Sequence, residues 1–215
     1  MALSKVDFNN INVTPAASKA LKWNASANGF ETGDLGGSMV LLSTVTASSS
    51  STISFTSGID STYKEYIIKF TDVHLGSSDK RFTLQGSTNA GSSYGVTATT
   101  ATFRANHDED DGEAALGYTA SHDVAQSTSF FQISDILASG NSADECIAGF
   151  FQLFDPSNTT FLKHFMAEFN GNNPNECVQG FGAGYFNTTS AINAIQFKAD
   201  SGNIDAGTFK LYGIL

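Results

Sequence analysis

Apolar and polar positions alternate most clearly within Ser51–Tyr94, where Gly, Ser and Asp turns separate three apolar runs. In the middle run, Tyr66, Ile68 and Phe70 fall on one face of an extended chain, and polar residues fall between them. A period of two that is bounded by turn residues is typical of half-buried antiparallel strands. This stretch therefore predicts strands that each turn one face toward a core.

The last run of the stretch shows the same alternation. Phe82 and Leu84 are expected to face the core, whereas Thr83 and Gln85 are expected to face solvent. The small polar residues of Asn89–Ser93 then predict a turn, because Asn and Gly accept the backbone conformations that turns require.

Further apolar runs between turns extend the prediction to the rest of the chain. They predict strands at Met39–Val45, Val96–Phe103, Ala114–Thr119, Ser129–Ile136, Cys146–Phe154, Thr160–Phe169, Cys177–Phe186, Ala194–Ala199 and Thr208–Leu215. The strong turn signal at Asp155–Asn158 joins the two runs around it as a hairpin. About ten short strands at this spacing are typical of an all-β sandwich or barrel.

The first residues, Met1–Gly37, lack this periodicity, and Pro15 and several asparagines interrupt them. The only Trp of the chain, Trp23, lies there close to Leu21. Burying its ring is favourable, either against its own domain or against a neighbouring subunit. We therefore expect an N-terminal assembly arm over residues 1–37 and one domain over residues 38–215, with Leu21 and Trp23 as assembly residues.

Composition and charge narrow the classes of function. The chain has 21 acidic and 11 basic side chains and a net charge of −10, and its cations are scattered, which argues against nucleic-acid binding. It has neither the apolar core of a secretory signal at its start nor an apolar run of ~18 residues, so we expect cytosolic synthesis and no membrane partner. Cys146 and Cys177 are too few for a disulfide framework and are expected to be reduced thiols.

The sequence offers little catalytic chemistry. Gly91–Gly95 matches G-x-S-x-G, but Ser93 lies between two predicted strands and no helix is predicted after it, which favours a hairpin turn over a nucleophile elbow. The histidines and cysteines lack the spacing of a zinc site. We therefore expect no enzyme and no cofactor, although a carboxylate pair suited to glycoside hydrolysis stays an open alternative.

The acidic loop His107–Glu113 is the one metal candidate. Asp108, Asp110 and Asp111 would offer the carboxylate oxygens that calcium prefers. The loop is no EF-hand, because a frame with Gly112 at its sixth position has His at the first position and Tyr at the last. The alternative is a solvated loop without metal.

Motifs near both ends of the expected domain point to a known family. The first group consists of Ser54–Tyr63, Tyr66–Phe70, Phe82–Gln85 and Asn89–Tyr94. The second group consists of Ala191–Phe197, Ser201–Ile204 and Gly207–Ile214. Together they resemble the β-sandwich modules of bacteriophage virion proteins, and the match is loose only between Ala101 and Gly184.

The resemblance implies an all-β, antiparallel, jelly-roll-like β-sandwich, as in tail fibres, capsid fibres and decoration proteins. It adds no catalytic residues. The expected function is that of a non-enzymatic virion protein, assembled in the host bacterial cytoplasm, whose extended N-terminal arm docks onto other virion proteins of the capsid or tail. Such modules are often trimeric, so a homotrimer is expected, with the sandwich displayed outward. The alternatives are a receptor module that binds a host-surface glycan and an enzyme such as a glycan depolymerase.

Overall fold

A computed structural model describes residues 19–33, 38–78, 80–118, 120–132, 142–173 and 175–215. The chain divides into two compact units between Ser38 and Met39. Three sequence predictions lie partly outside the described residues: the arm, at positions 1–18 and 34–37, the strand Ala114–Thr119, at position 119, and the strand Ser129–Ile136, at positions 133–136.

The described part of the first unit is a β-hairpin. Strand β1 (Ala20–Trp23) pairs antiparallel with strand β2 (Phe30–Gly33), and Trp23 lies opposite Phe30. The turn between them is closed by the backbone N–H of Asn24, which donates to the carbonyl of Gly29 over 2.9 Å. Sequence periodicity did not predict these strands, because four residues are too few to display a period of two.

The second unit consists of twelve strands within the described residues. They are β3 (Met39–Thr46), β4 (Ile53–Phe55), β5 (Glu65–Leu75), β6 (Phe82–Ser87), β7 (Ala98–Asp108), β8 (Ala114–Gly117), β9 (Phe131–Gln132), β10 (Ile147–Phe154), β11 (Lys163–Asn173), β12 (Glu176–Phe186), β13 (Ala194–Ala199) and β14 (Ile204–Ile214). All pairings are antiparallel, so the all-β, antiparallel prediction is confirmed.

These strands form two sheets of unequal size. The large sheet has the order β3-β14-β5-β10-β11-β12-β7-β8, and the small sheet has the order β4-β13-β6-β9. Hairpin connections join β10 to β11 and β11 to β12, while most other neighbours are distant in sequence. The turn at Asp155–Asn158 connects β10 to β11 as predicted, and the N–H of Asn158 donates to the carbonyl of Asp155 over 3.1 Å.

Phenylalanine side chains hold the two sheets together. Phe70 of the large sheet lies with its ring centre 5.3 Å from that of Phe82 and 6.2 Å from that of Phe197, both of the small sheet. Phe209, also of the large sheet, contacts the same two rings. Each such ring contributes roughly 1.5–3 kcal/mol when it leaves water, so this cluster is a main source of stability.

The prediction that Thr83 and Gln85 of β6 face solvent is wrong. Thr83 is 4% exposed and Gln85 is fully buried, as are their apolar neighbours. The amide of Gln85 donates to the carbonyls of Thr128 and Ser129 over 3.1 and 2.8 Å, since the segment before β9 covers this face. The hydroxyl of Thr83 donates to the carbonyl of Lys198 over 2.9 Å. These bonds offset the cost of burying polar groups.

The two groups of motifs that carry the family resemblance meet in space. The ring of Tyr63 lies on Gly213, where a β-carbon would come within 2.3 Å of the ring. The side chain of Asn193 accepts a hydrogen bond from the N–H of Ala90 over 2.8 Å and so holds the turn after β6. These motif residues therefore contact one another and support the backbone.

Tyr66 fixes the loop that precedes it. Its buried hydroxyl donates to the carbonyl of Asp60 over 3.0 Å and accepts from the N–H of Asp60 over 3.0 Å. Burial raises the pKa of Tyr66. The N–H of Thr62 donates to the carboxylate of Asp60 over 2.8 Å, and this bond lowers the pKa of that carboxyl. The predicted inward face of β5 is confirmed, since Tyr66, Ile68 and Phe70 are all buried.

Candidate assembly surfaces

The hairpin has one apolar face and one charged face. Trp23 and Phe30 stack with ring centres 4.4 Å apart and an angle of 25° between their planes. Leu21 lies on the same face, since it is two residues from Trp23 on one strand. On the opposite face, Lys22 and Glu31 form an ion pair of 3.3 Å. In the part of the chain that the structure describes, the side chains of this apolar face are exposed, Trp23 by 62%, Phe30 by 41% and Leu21 by 40%.

An isolated two-stranded hairpin is marginally stable in water, so an uncovered apolar face on one gains free energy from any partner that buries it. Leu21 and Trp23 were predicted from the sequence as assembly residues, whereas Phe30 was not. The signal that would have found it is the turn Asn24–Gly29, which is rich in Asn, Ser and Gly and flanked on both sides by an aromatic residue.

The outer face of the large sheet, which points away from the small sheet, also carries large apolar side chains. Among the residues of this face, Leu41, Phe103 and Met166 are 52%, 44% and 53% exposed. Phe150 and Phe181 are half-buried on the same face. In monomeric proteins, contiguous exposed apolar surface of this kind marks interaction sites.

The strand register arranges this outer face in cross-strand rows. One row, called the charged row, runs from β7 to β14 as Phe103, Phe181, Glu168, Phe150, Lys69 and Lys210. The next row, called the apolar row, runs from β7 to β3 as Ala101, Ala183, Met166, Gln152, Ile67, Tyr212 and Leu41. Both rows cross strand β10, the first at Phe150 and the second at Gln152.

A groove of about 340 Å³ lies in this face, over strands β7, β12 and β11. Phe103 and Phe181 line it as a stacked pair with ring centres 4.9 Å apart. Tyr118 stands at its edge and donates a hydrogen bond to the carboxylate of Asp123 over 2.6 Å, which raises the pKa of Tyr118. The small residue Ala183 forms part of its floor, so the groove is open to a large apolar side chain.

In the charged row, the acidic and the basic side chains lie on opposite sides of Phe150. Lys69 and Lys210 lie directly opposite each other on neighbouring strands, and both are exposed. No carboxylate in the described ranges lies within ion-pair distance of either. Glu168 lies on the other side of Phe150, where it accepts a hydrogen bond from Gln179 over 2.6 Å. Like charges directly opposite each other destabilise a sheet, so the two lysines favour an anionic partner.

The acidic loop forms the turn between β7 and β8. Asp110 accepts a hydrogen bond from the N–H of Gly112 over 3.0 Å, and Asp111 lies 3.3 Å from the ring of His107. Within the part of the chain that the structure describes, no three His, Cys, Asp or Glu side chains are grouped to hold a metal ion. A calcium site at Asp108, Asp110 and Asp111 stays a sequence prediction.

The other polar motifs from the sequence are separate from these surfaces. Ser93 lies in the turn between β6 and β7, where its hydroxyl accepts a hydrogen bond from the amide of Asn89 over 2.9 Å. Cys146 and Cys177 are both free thiols, and burial raises the pKa of Cys146. The structure brings neither Ser93 nor the thiols to the groove.

Two charged side chains, Lys163 and Glu145, are buried away from these surfaces. Lys163, at the start of β11, is fully buried and its ammonium donates to the carbonyls of Phe161 and Thr188 over 2.6 and 3.2 Å. Burial lowers the pKa of Lys163. Glu145 is also buried and accepts a hydrogen bond from the N–H of Ser142 over 2.9 Å. Both tie loops to the sheet. A lone Lys gives no sequence signal of such a role, whereas Ser142 and Glu145 have the S-x-x-E spacing of a capping box, which includes this bond.

Comparison of the chain with protein-family models, curated proteins and solved structures gave no match. The described residues include no helix that is long and apolar enough to cross a membrane. The assignment of function therefore depends on the sheet order and on the two apolar surfaces described above.

Proposed function

We propose that this chain is a non-enzymatic structural protein of a bacteriophage virion. Its first residues form an arm that docks onto other virion proteins of the capsid or tail through the apolar face of the hairpin. The second unit is a jelly-roll-like β-sandwich that is displayed outward as a decoration or fibre module. The chain works as a homo-oligomer, for which the family resemblance favours three copies. Assembly takes place in the cytoplasm of a bacterial host.

The strand order is the observation that carries this proposal. Eight strands, taken in chain order, are β3, β4, β5, β6, β9, β10, β13 and β14. Renumbered one to eight, they follow the order 1-8-3-6 in the large sheet and 2-7-4-5 in the small sheet. This order supports the jelly-roll part of the proposal, since a jelly roll has eight strands in two Greek keys and occurs in viral capsid and lectin domains. The strands β11, β12, β7 and β8 extend the large sheet beyond β10.

The contacts of the motif residues support a scaffold role. Tyr63 and Gly213 pack against each other, and Tyr66 holds the loop at Asp60. Residues that stabilise strand ends in this way are what a displayed structural module requires. The fold alone does not imply the function, so the proposal also depends on the hairpin.

Docking through the hairpin is tested with the full chain and purified particles that lack it. Replacing both Trp23 and Phe30 with Ala removes the stacked pair, and the double variant is expected to lose most of its occupancy on the particle. Large aromatic side chains at the centre of an interface commonly cost 2 kcal/mol or more when truncated, which is about a thirtyfold loss of affinity. Occupancy is measured by quantitative gel analysis of the sedimented particles.

The matched control is Lys22→Ala, on the charged face of the same hairpin. It is expected to retain occupancy, since an exposed ion pair contributes about 0–1 kcal/mol. Full occupancy of the Trp23→Ala/Phe30→Ala variant would show that the hairpin is not the anchor. Failure of the unaltered chain to join any particle would remove the virion role itself.

A glycan-binding receptor module is the second candidate function. The observation that favours it is the groove, because Tyr118 with its partner Asp123 stands beside Phe103 and so combines a polar group with aromatic rings. Sugars are bound by aromatic faces together with hydrogen-bonding side chains. A glycan array probed with the full chain tests this function. An array without signal, or one whose signal survives Tyr118→Ala, would count against it.

A further inference from the structure

Strand β10 lies fourth in the eight-stranded large sheet, so at least three strands flank it on each side. Three strands, β5, β14 and β3, lie on one side of it. Three others, β11, β12 and β7, lie at the same steps on the other side, and β8 extends beyond them. A second copy can be placed by a rotation of 180° about an axis that is parallel to β10 and just above the outer face. In the resulting pair, β11 of one copy lies over β5 of the other, β12 lies over β14, and β7 lies over β3.

This rotation brings opposite charges together. In the charged row, Glu168 lies one strand from Phe150 on one side and Lys69 lies one strand from it on the other. Glu168 of each copy is thus placed against Lys69 of the other, twice in the pair. Phe181 and Lys210 lie two strands from β10 on either side, so each ammonium is placed over an aromatic ring. The two Phe150 rings meet at the axis.

The same rotation matches small residues with large ones. In the apolar row, Ala183 and Tyr212 lie two strands from β10 on opposite sides, and Ala101 and Leu41 lie three strands from it. Tyr212 and Leu41 of one copy therefore lie over the alanines on the groove floor of the other. Met166 and Ile67 each lie one strand from β10, on opposite sides, so Met166 of one copy lies over Ile67 of the other.

The area of the face is sufficient for a stable pair. Seven strands at about 4.8 Å spacing and six residues along each give a contact of roughly 33 Å by 20 Å per copy. The total buried area is then about 1,300 Å², which lies within the range of about 1,200–2,000 Å² for specific interfaces. Two sheets with the same twist also pack face to face without distortion.

We propose that two copies of this chain associate through the outer faces of their large sheets, about a two-fold axis along β10. Tyr212 and Leu41 of each copy fill the groove of the other, and Lys69 pairs with Glu168 across the axis. The pair buries the exposed apolar surface and supplies the anion that the two adjacent lysines lack. The pairing rests on the proposed homo-oligomer but assigns it two copies, whereas the family resemblance favours three.

Charge reversal tests the pairing directly on the full chain. Sedimentation velocity at micromolar concentration is expected to give the mass of two copies for the unaltered chain. Lys69→Glu and Glu168→Lys each oppose like charges twice in a pair, so each is expected to weaken association at least about tenfold. An equimolar mixture of the two variants opposes only unlike charges and is expected to regain the two-copy mass. This rescue also shows that both variants are folded.

A second variant tests the groove. Ala183→Arg places a long side chain on its exposed floor and is expected to give the one-copy mass with an unchanged far-UV circular dichroism spectrum, since loss of the partner by itself lowers the melting temperature. The charge-matched control for Lys69→Glu is Lys22→Glu, which changes the net charge by the same amount but lies on the hairpin, and it is expected to retain the two-copy mass.

Several results would overturn the pairing. These are a one-copy or three-copy mass for the unaltered chain, an unchanged mass for Lys69→Glu, and a mixture that stays at one copy. A one-copy mass together with a glycan signal that Ala183→Arg abolishes would assign the groove to a sugar. A three-copy mass supports the trimer of the proposed function, and a two-copy chain that never joins a particle removes the virion role while retaining the pair. The two proposals therefore fail in distinguishable ways.

Discussion

The inner and outer faces of the large sheet are made by the same strands, and among the described residues of the second unit only the inner face is covered. On β5, Phe70 is buried against the small sheet while its neighbour Lys69 is exposed. On β11, Phe169 is buried and Met166 is 53% exposed. Both faces carry aromatic and aliphatic side chains, so residue type alone does not distinguish them. The difference is that the small sheet packs on one face.

This difference shows that an apolar face indicates that a partner must cover it. It does not indicate whether that partner is part of the same chain or a separate molecule. The inner face obtains its partner through the chain's own connections, because β4, β6, β9 and β13 fold over it. The outer face retains its apolar rows and the groove. Substitutions on the inner face should therefore change folding stability, whereas those on the outer face should change association.

The largest effect is expected from Phe70→Ala on the inner face. Phe70 is fully buried and contacts four other phenylalanine rings, so truncation is expected to lower the free energy of unfolding by about 3–5 kcal/mol. The matched change on the outer face, Met166→Ala, is expected to cost under about 1 kcal/mol in the isolated chain. Chemical denaturation at a concentration where the chain is monomeric measures both, and equal losses would contradict the distinction between the faces.

A charged residue on the inner side is expected to have the next largest effect. Lys163→Met keeps the length of the side chain and leaves the carbonyls of Phe161 and Thr188 without a donor. Hydrogen bonds to charged groups contribute about 1.5–3 kcal/mol, and removing a buried ammonium recovers part of that through lost desolvation. We expect a net loss of about 1–3 kcal/mol in urea denaturation at pH 7. A more stable variant would show that desolvation outweighs the two bonds.

A smaller effect tests the contact between the two groups of motifs. Gly213→Ala inserts a methyl group where the ring of Tyr63 lies, within 2.3 Å, so the ring has to move. Overpacking of this kind costs about 1–3 kcal/mol, and we expect the lower part of that range because Tyr63 is partly exposed. Gly117→Ala is the control, since nothing lies within 4 Å of its added methyl group. Equal shifts of the melting temperature for Gly213→Ala and Gly117→Ala would contradict a stabilising contact between Tyr63 and Gly213.

The sequence predicted the strands of the second unit well where period-two runs are long, as at Tyr66–Phe70 and Ala194–Ala199. It was wrong about Thr83 and Gln85 because their partners are distant in sequence: Gln85 donates to Thr128 and Ser129, and Thr83 donates to Lys198. Long-range cover of this kind leaves no local periodicity.

The candidate surfaces were predictable only in part. Trp23 and Leu21 were predicted as assembly residues because a lone indole in a polar segment stands out. The groove was not predicted, since Phe103 and Phe181 are 78 positions apart in the chain and become neighbours only through the β7–β12 pairing. Lys69 and Lys210 likewise meet only through the β5–β14 register. The composition of the chain indicated neither the groove nor the pair of adjacent lysines.

The smallest effect concerns Asp155 at the end of β10, where neither face is involved. The amide of Asn158 and the ammonium of Lys64 donate to its carboxylate over 2.8 and 3.0 Å, and they lower its pKa below the ordinary 3.8. Because the folded pKa is lowered, the stabilisation is complete above pH 3.8 and is lost as the pH falls through the folded value.

Asp155→Asn is the suitable variant, since Asn tolerates the positive φ of 43° at this position. For a partly exposed pair, we expect the variant to be less stable by under about 1 kcal/mol at pH 7. Denaturation curves from pH 7 to pH 2 should show this difference shrinking to nothing at the acid end, and a constant difference would mean that the carboxylate charge is not its cause.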